Sequence, residues 1–171
     1  TPYPTPVPTV HVSAYALYAK GEEYYQAEQY ELAINEYTEA ITADPNYTGA
    51  YYKRGSALIA LGLDEEAVVD YEMVVELVPD NPTFLGVLAI VYKMVGRFED
   101  SVATASKLIQ FEPNETSGYE YRAASYVAIG EYTLAMEDAE TVLTLSPDSA
   151  IGYELRGEIY KNLGRYIEAV A

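Results

Sequence analysis

A proline recurs every 34 residues along this chain, and that fixed interval constrains the fold more than any other feature of the sequence. The four prolines are Pro45, Pro79, Pro113 and Pro147. A period of this length indicates stacked copies of one supersecondary unit, each of which needs its neighbours to bury its apolar face. The sequence therefore predicts a stack of repeats rather than a domain with a single central core.

Other residue types recur in the same register and indicate two helices in each repeat. Small and bulky apolar residues alternate at spacings of four and three, which places them on one face of a helix. In the first repeat they are Leu17, Gly21 and Tyr24, followed by Ala33, Tyr37 and Ala40. A glycine marks the turn between the two helices at Gly62, Gly96, Gly130 and Gly164, and Glu28 takes that place in the first repeat. The proline ends the second helix, because it cannot continue the hydrogen-bond ladder.

These recurring columns resemble the tetratricopeptide repeat family, and the resemblance covers residues 14–171. The stretches YYKRGSALIALGLDEEAVVDYEMVVELVPD and YEYRAASYVAIGEYTLAMEDAETVLTLSPD carry it most clearly. The resemblance implies an all-α fold, a right-handed α–α superhelix of stacked helix–turn–helix repeats. We expect repeats at 14–47, 48–81, 82–115 and 116–149, and a partial repeat at 150–171, after a Pro/Thr-rich extended segment at 1–13.

The charge balance argues against two classes of partner. The formal net charge is −17, whereas binding to nucleic acid or to anionic lipid needs a basic surface. No apolar run approaches the roughly 18 residues of a membrane span. We therefore predict a protein partner, with neither nucleic-acid binding nor membrane insertion.

The residues that support catalysis or metal binding are scarce. His11 is the only histidine and there is no cysteine, so a nucleophile–base pair or a zinc site lacks its partners. Glu154 and Glu158 are one helical turn apart and form a candidate cation site, although exposed neighbours of like charge are far more common. We predict that the protein is not an enzyme and that it has no cofactor and no metal.

The resemblance also implies a binding surface, because the first helices of tetratricopeptide repeats line a concave groove. The corresponding residues are Tyr15, Tyr18, Tyr25, Tyr52, Ile59, Ile90, Lys93, Glu120, Val127, Glu154 and Lys161. Some members of the family hold a C-terminal carboxylate with basic and asparagine side chains, but Glu22, Ser56 and Ala124 stand at such places here. The negative charge favours a basic or an apolar and aromatic peptide. The tyrosines either contact that peptide or pack between the helices.

Two short patterns suggest covalent glycans. Asn46 and Asn114 begin sequons for N-glycosylation, and the alternative interpretation is that these asparagines cap the following helices. The segment 1–13, TPYPTPVPTVHVS, is predicted to be extended. It is either a linker or a surface stalk with O-glycans on its threonines, which are Thr1, Thr5 and Thr9. With the absence of cysteine, these patterns favour an extracytoplasmic or cell-surface location over a cytoplasmic one.

The sequence stops inside the fifth repeat, which leaves an apolar face without a capping helix. Either the sequence is truncated there, or another chain covers the face. The N-terminal segment of a second copy would continue the stack from molecule to molecule and form a filament. We therefore predict a non-enzymatic assembly module that self-associates end to end, and the alternative is a monomeric scaffold that binds a partner peptide in its groove.

Overall fold

The computed structural model describes residues 13–164, and every regular element within them is an α-helix. The nine helices of this part of the chain are α1 (Ala14–Gln26), α2 (Tyr30–Ala43), α3 (Thr48–Ala60), α4 (Asp64–Leu77), α5 (Pro82–Met94), α6 (Phe98–Phe111), α7 (Thr116–Ala128), α8 (Tyr132–Leu145) and α9 (Ala150–Asn162). Each repeat therefore pairs an odd-numbered helix with the even-numbered helix that follows it. The all-α repeat architecture predicted from the sequence is confirmed.

The odd-numbered helices form the inner layer of the stack. Each helix packs against the next one along the chain. In addition, the backbones of α1 and α3, of α5 and α7, and of α7 and α9 approach one another closely, whereas those of no two even-numbered helices within the described residues do so. Because the more closely spaced layer of a curved stack lies on its inside, the odd-numbered helices line the concave side of the solenoid.

The turn within each repeat needs a left-handed backbone conformation. Its φ angles are 74° at Gly62, 77° at Gly96, 80° at Gly130 and 72° at Gly164. Glycine adopts this conformation without a steric penalty, since it has no Cβ. Glu28 adopts a φ of 58° at the same turn of the first repeat, and its side chain therefore costs about 1 kcal/mol there. Glycine therefore recurs at these positions because the turn between the two helices requires a positive φ.

The asparagines of the two sequons do not cap helices, so that interpretation was wrong. The residues directly before α3, α5, α7 and α9 are Tyr47, Asn81, Glu115 and Ser149. Of these, Asn81 and Ser149 each accept a hydrogen bond from a backbone N–H at 3.2 Å. Asn46 and Asn114 stand one position too early, because each helix begins at the second residue after them, and only the residue directly before a helix reaches its free N–H groups.

The helix pairs of the first two repeats pack differently from those of the next two. A Cβ added to Gly21 would lie 2.5 Å from Cε1 of Tyr37, and one added to Gly55 would lie 3.0 Å from Cε2 of Tyr71. Each tyrosine ring thus occupies the room that a glycine leaves on the facing helix. The same positions of the third and fourth repeats hold only alanines, all buried, which are Ala89, Ala105, Ala123 and Ala139.

A buried ion pair joins three helices in the second repeat. Arg54 on α3 donates to both carboxylate oxygens of Asp70 on α4, from Nε to Oδ2 at 2.9 Å and from Nη2 to Oδ1 at 2.6 Å. Its remaining Nη1 donates to Thr38 on α2 at 3.1 Å. The hydrogen bonds with Asp70 raise the pKa of Arg54 above its already high value, so the guanidinium keeps its charge. We call this arrangement the arginine latch.

A second arginine latch occurs two repeats later. Arg122 on α7 donates to Asp138 on α8 at 2.8 and 2.7 Å and to Ser106 on α6 at 3.1 Å. The third repeat, between the two latches, has Leu88 and Thr104 at the positions of the arginine and the aspartate. Leu88 belongs to the apolar core. The third repeat thus has apolar and neutral side chains where the second and fourth repeats have this ion pair.

Candidate functional site

The concave surface is formed by α1, α3, α5, α7 and α9, and all eleven groove residues predicted from the sequence belong to these helices. Tyr15, Tyr18 and Tyr25 lie on α1, Tyr52 and Ile59 on α3, Ile90 and Lys93 on α5, Glu120 and Val127 on α7, and Glu154 and Lys161 on α9. The surface divides into an N-terminal half, formed by α1 and α3, and a C-terminal half, formed by α5, α7 and α9. The two halves differ in how their side chains are used.

Tyrosine rings fill the N-terminal half. The ring of Tyr18 lies 5.8 Å from that of Tyr37 and 5.1 Å from that of Tyr47, measured between centroids. The ring of Tyr52 meets that of Tyr71 edge to face at 5.6 Å. Edge-to-face and tilted contacts of this kind stabilise packing between helices. Tyr18 and Tyr52 are therefore half-buried and pack between helices, which is the second of the two roles that the sequence suggested for these tyrosines.

Tyr15 and Tyr25 complete the N-terminal half in different ways. Tyr15 is 71% exposed and is the tyrosine of this half that presents most of its surface to solvent. Tyr25 packs edge to face against Tyr30 at 5.4 Å, and the Lys53 ammonium lies 5.4 Å from its ring centroid. Only Tyr15 thus remains open enough to contact a partner through most of its ring.

The carboxylate in the N-terminal half already has partners within the protein. Glu22 accepts hydrogen bonds from the hydroxyl of Tyr37 and from Nζ of Lys53, the latter at 2.8 Å. Burial and the bond with Glu22 raise the pKa of Tyr37 far above its usual value. In the next repeat Tyr71 bonds Ser56 at 3.0 Å. The polar groups at this end of the surface therefore satisfy one another.

The C-terminal half contains a cavity of about 280 Å³ between α5, α6 and α7. Its apolar wall consists of Val87, Ile90 and Leu108, the ring of Tyr121 closes one side, and Thr83, Ser117 and Glu112 also line it. A Cβ added to Gly86 would lie 3.5 Å from that ring, so any larger residue at this position would project into the cavity. The earlier repeats place Tyr18 and Tyr52 at the position of Gly86. We call this space the apolar cavity.

A second cavity of about 270 Å³ lies beside the first, between α5, α7 and α9. It is lined by three glutamates and one lysine, together with Tyr121 and three aliphatic side chains; these residues are Glu120, Glu154, Glu158, Lys93, Ala124, Ile151 and Leu155. Within residues 13–164, the three glutamate carboxylates and the Lys93 ammonium take part in no hydrogen bond or ion pair. We call this space the acidic cavity, and Tyr121 forms a wall common to both cavities.

The structure brings together only some of the predicted groove residues. Ile90, Lys93, Glu120 and Glu154 line the two cavities. By contrast, Ile59 and Val127 pack against core clusters, and Lys161 is exposed near the end of α9. Sequence analysis did not select Gly86 and Tyr121 for the surface. The signal for Gly86 was its place in the column that holds tyrosine in the first two repeats.

Several other sequence-based candidates are placed or left open by the structure. In the described part of the chain no group of three or more His, Cys, Asp or Glu side chains is arranged to hold a metal ion. None of the helices between residues 13 and 164 is long and apolar enough to cross a membrane.

His11 and the threonines Thr1, Thr5 and Thr9 lie outside the described residues. Asn46 and Asn114 are exposed in the loops that follow α2 and α6, and their glycosylation stays a prediction.

Comparison with known proteins identifies the repeats. A family model described as "TPR repeat" matches residues 21–62, and one described as "Tetratricopeptide repeat" matches residues 49–81. Among curated proteins, RNA polymerase II-associated protein 3 of Mus musculus is 38% identical over 80 residues, which are 47% of this chain. The chain spans only 11% of the length of that relative.

Solved structures share the fold at low sequence identity. A crystal structure of the MamA protein superimposes with a TM-score of 0.82 at 21% identity, covering 92% of this chain and 86% of the other. The structure of YrrB, titled a TPR protein with an unusual peptide-binding site, superimposes with a TM-score of 0.77 at 16% identity, covering 92% of this chain and 81% of the other. The family models thus identify tetratricopeptide repeats within residues 21–81, and the helix pairs recur in the same register over the rest of the described chain.

Proposed function

We propose that the protein is a non-enzymatic interaction module that binds a segment of a partner protein on the C-terminal half of its concave surface. One observation carries the proposal. Two cavities adjoin there, share the ring of Tyr121 as a wall, and offer apolar surface together with charged groups that have no partner within residues 13–164. Binding sites are typically concave, with a few polar groups set among apolar ones.

The N-terminal half supports the same assignment by contrast. Its tyrosine rings contact one another, and its carboxylate at Glu22 is bonded to Lys53 and Tyr37, so a partner would gain few polar contacts there. A peptide-binding site is also named for the similarly folded YrrB. The position of such a site on this chain is our own inference from the cavities.

The absence of cysteine makes a direct test straightforward. Single cysteines replace Thr83, beside the apolar cavity, or Val69, which is 62% exposed on the even-numbered helix α4. Each variant carries an environment-sensitive fluorophore and is titrated with peptides selected from a random phage-displayed library against the whole chain. We expect the Thr83→Cys probe to change its emission on binding and the Val69→Cys probe to remain unchanged.

The opposite pattern would contradict the proposal. If the selected peptides alter only the Val69→Cys probe, the binding surface lies on the even-numbered helices. If a library of high diversity yields no peptide that alters the Thr83→Cys probe, the concave surface is not a peptide-binding surface. Circular dichroism of both labelled variants controls for loss of the fold.

End-to-end association and an extracytoplasmic location with glycans are finer proposals, and they come from the sequence alone. The N-terminal segment and the last residues on which association depends lie outside the described residues. Negative-stain electron microscopy and light scattering of the protein across a range of concentrations test the association, and uniform fibres are the expected result. Intact-mass measurement of the protein from its native source tests modification at Asn46 and Asn114, and an unmodified mass would reject it.

A further inference from the structure

We infer that the segment bound by this protein carries one large apolar side chain and one lysine or arginine, separated by about three residues. The inference rests on the proposed function and specifies its partner. It draws on the chemistry of the apolar cavity, on the charges of the acidic cavity and on the distance between the two. None of these three features is shared with the N-terminal half of the same surface.

The apolar cavity selects the apolar side chain. Val87, Ile90 and Leu108 provide its wall, and Gly86 leaves its interior open. A space of this size has room for several water molecules. Their displacement by a leucine, methionine or phenylalanine side chain removes apolar surface from water on both partners, which is favourable.

The acidic cavity selects the cation. Glu120, Glu154 and Glu158 face a single ammonium, that of Lys93, so the cavity carries an excess of negative charge. Glu22, at the same position of the first repeat as Glu158, forms an ion pair with Lys53 of the next repeat at 2.8 Å, so a carboxylate at this position can bind a cation. Within residues 13–164 the carboxylates of the acidic cavity have no such partner. A lysine or arginine from the bound segment would balance their charge, and the potential would also steer it to the site.

The aromatic wall between the cavities favours arginine over lysine. A guanidinium stacks on an aromatic face while it bonds carboxylates in a bidentate way. This chain uses that combination itself, because Arg97 lies 4.4 Å from the ring centroid of Tyr92 and bonds Glu72 at 2.9 Å. Tyr121 and the three glutamates offer a ligand the same two kinds of contact.

The distance between the cavities sets the spacing. The apolar cavity lies between α5 and α7, and the acidic cavity extends to α9, so they are offset by one step of the repeat. Adjacent packed helices are about 8–10 Å apart, and an extended chain advances about 3.3 Å for each residue. A segment that runs across the odd-numbered helices therefore reaches both cavities with side chains about three residues apart.

Fluorescein-labelled synthetic peptides test the inference directly. A set of serine- and glycine-based peptides carries one leucine and one arginine at separations of one to five residues, and matched peptides replace the arginine by glutamate or the leucine by serine. Fluorescence anisotropy measures their binding to the full chain. We expect the tightest binding at a separation of about three, a loss of at least tenfold on either replacement, and weaker binding at high salt.

Variants of the protein separate the two cavities. The double variant Glu154→Gln with Glu158→Gln should bind the arginine peptide at least tenfold more weakly than the parent does. Its affinity for the glutamate peptide should be unchanged. Glu65→Gln on α4 removes a similarly exposed charge away from the concave surface and should have no effect. Gly86→Leu fills the apolar cavity and should abolish the preference for leucine over serine. Circular dichroism confirms that each variant is folded.

The failures of the inference and of the proposed function are distinguishable. If library-selected peptides alter the Thr83→Cys probe but contain no basic residue, or if they bind the double glutamate variant as tightly as the parent, the inference is overturned and the proposed function stands. If no peptide of either kind alters that probe, the proposed function falls and the inference falls with it.

Discussion

The two halves of the concave surface are built from the same repeat and differ at two positions, one on the even-numbered and one on the odd-numbered helices. Where the first position is Tyr37 or Tyr71, the ring fills the space above a glycine and its hydroxyl bonds Glu22 or Ser56. The third and fourth repeats have Ala105 and Ala139 there and lack that ring. The second position is Tyr18 or Tyr52 in the first two repeats and Gly86 in the third, where the apolar cavity stays open.

The largest effect on stability is expected when the first repeat is converted to the alanine pairing of the later ones. Tyr37→Ala removes a fully buried ring and should lower the free energy of unfolding by about 3–5 kcal/mol. Gly21→Ala alone overpacks against that ring and should cost about 1–3 kcal/mol. The double variant should lose less than the sum of the two losses, because the added methyl group partly fills the space of the ring. Urea denaturation with hydrogen exchange of α1 and α2 measures each loss.

The account would be contradicted if the decrease in the free energy of unfolding of the double variant equalled the sum of the decreases in the two single variants. Such additivity would show that Tyr37 and Gly21 do not share one space. Tyr15→Ala provides the matched control. That tyrosine is 71% exposed, so its removal should change the free energy of unfolding by less than about 0.5 kcal/mol.

The arginine latch gives the next largest expected effect. Asp70→Ala leaves Arg54 without its partner at a site where the aspartate is 1% exposed, and breaking such a pair costs about 3 kcal/mol. The corresponding change in the third repeat, Thr104→Ala, removes no charge and should cost about 1 kcal/mol. Urea denaturation of both variants makes the comparison. Equal losses would show that the latch contributes no more than ordinary buried packing.

The turn of the first repeat offers a smaller effect of opposite sign. Glu28→Gly should raise the free energy of unfolding by about 1 kcal/mol, because it relieves a side chain from a left-handed backbone conformation. Gly62→Ala introduces the same strain at the corresponding turn of the second repeat, where φ is 74°, and should be destabilising. Thermal unfolding of the two variants tests the prediction, and a destabilised Glu28→Gly variant would reject it.

Because of the buried tyrosines, we expect a loss of folding stability that appears only at alkaline pH. Burial raises the pKa of Tyr71 to about 12, whereas an unfolded tyrosine titrates near 10. The contribution of the protonated Tyr71 to the free energy of unfolding is therefore complete below about pH 10 and is lost as the pH rises towards about 12. The urea midpoint of Tyr71→Phe should fall less steeply over this range than that of the parent. A parallel fall in both proteins would show that other groups set the alkaline limit.

Sequence analysis could predict the helices and turns because prolines, glycines and alanines recur in register. It could also have found the arginine latches, since Arg54 and Asp70 have the same spacing of 16 residues as Arg122 and Asp138. The caps were placed one residue early, because helix boundaries depend on backbone geometry that Asn46 and Asn114 do not reveal. The cavities could not be predicted, since they depend on how the side chains around Gly86 and Tyr121 pack between three helices.

The central claim is that the C-terminal half of the concave surface is the binding surface, and NMR chemical-shift mapping tests it most directly. The isotope-labelled chain is titrated with a library-selected peptide, and the perturbed amides are mapped onto the helices. The account predicts perturbations around Gly86, Tyr121 and Glu154 on α5, α7 and α9, with α1 and α4 unchanged. Perturbations centred on α1 and α3, or on the even-numbered helices, would contradict it.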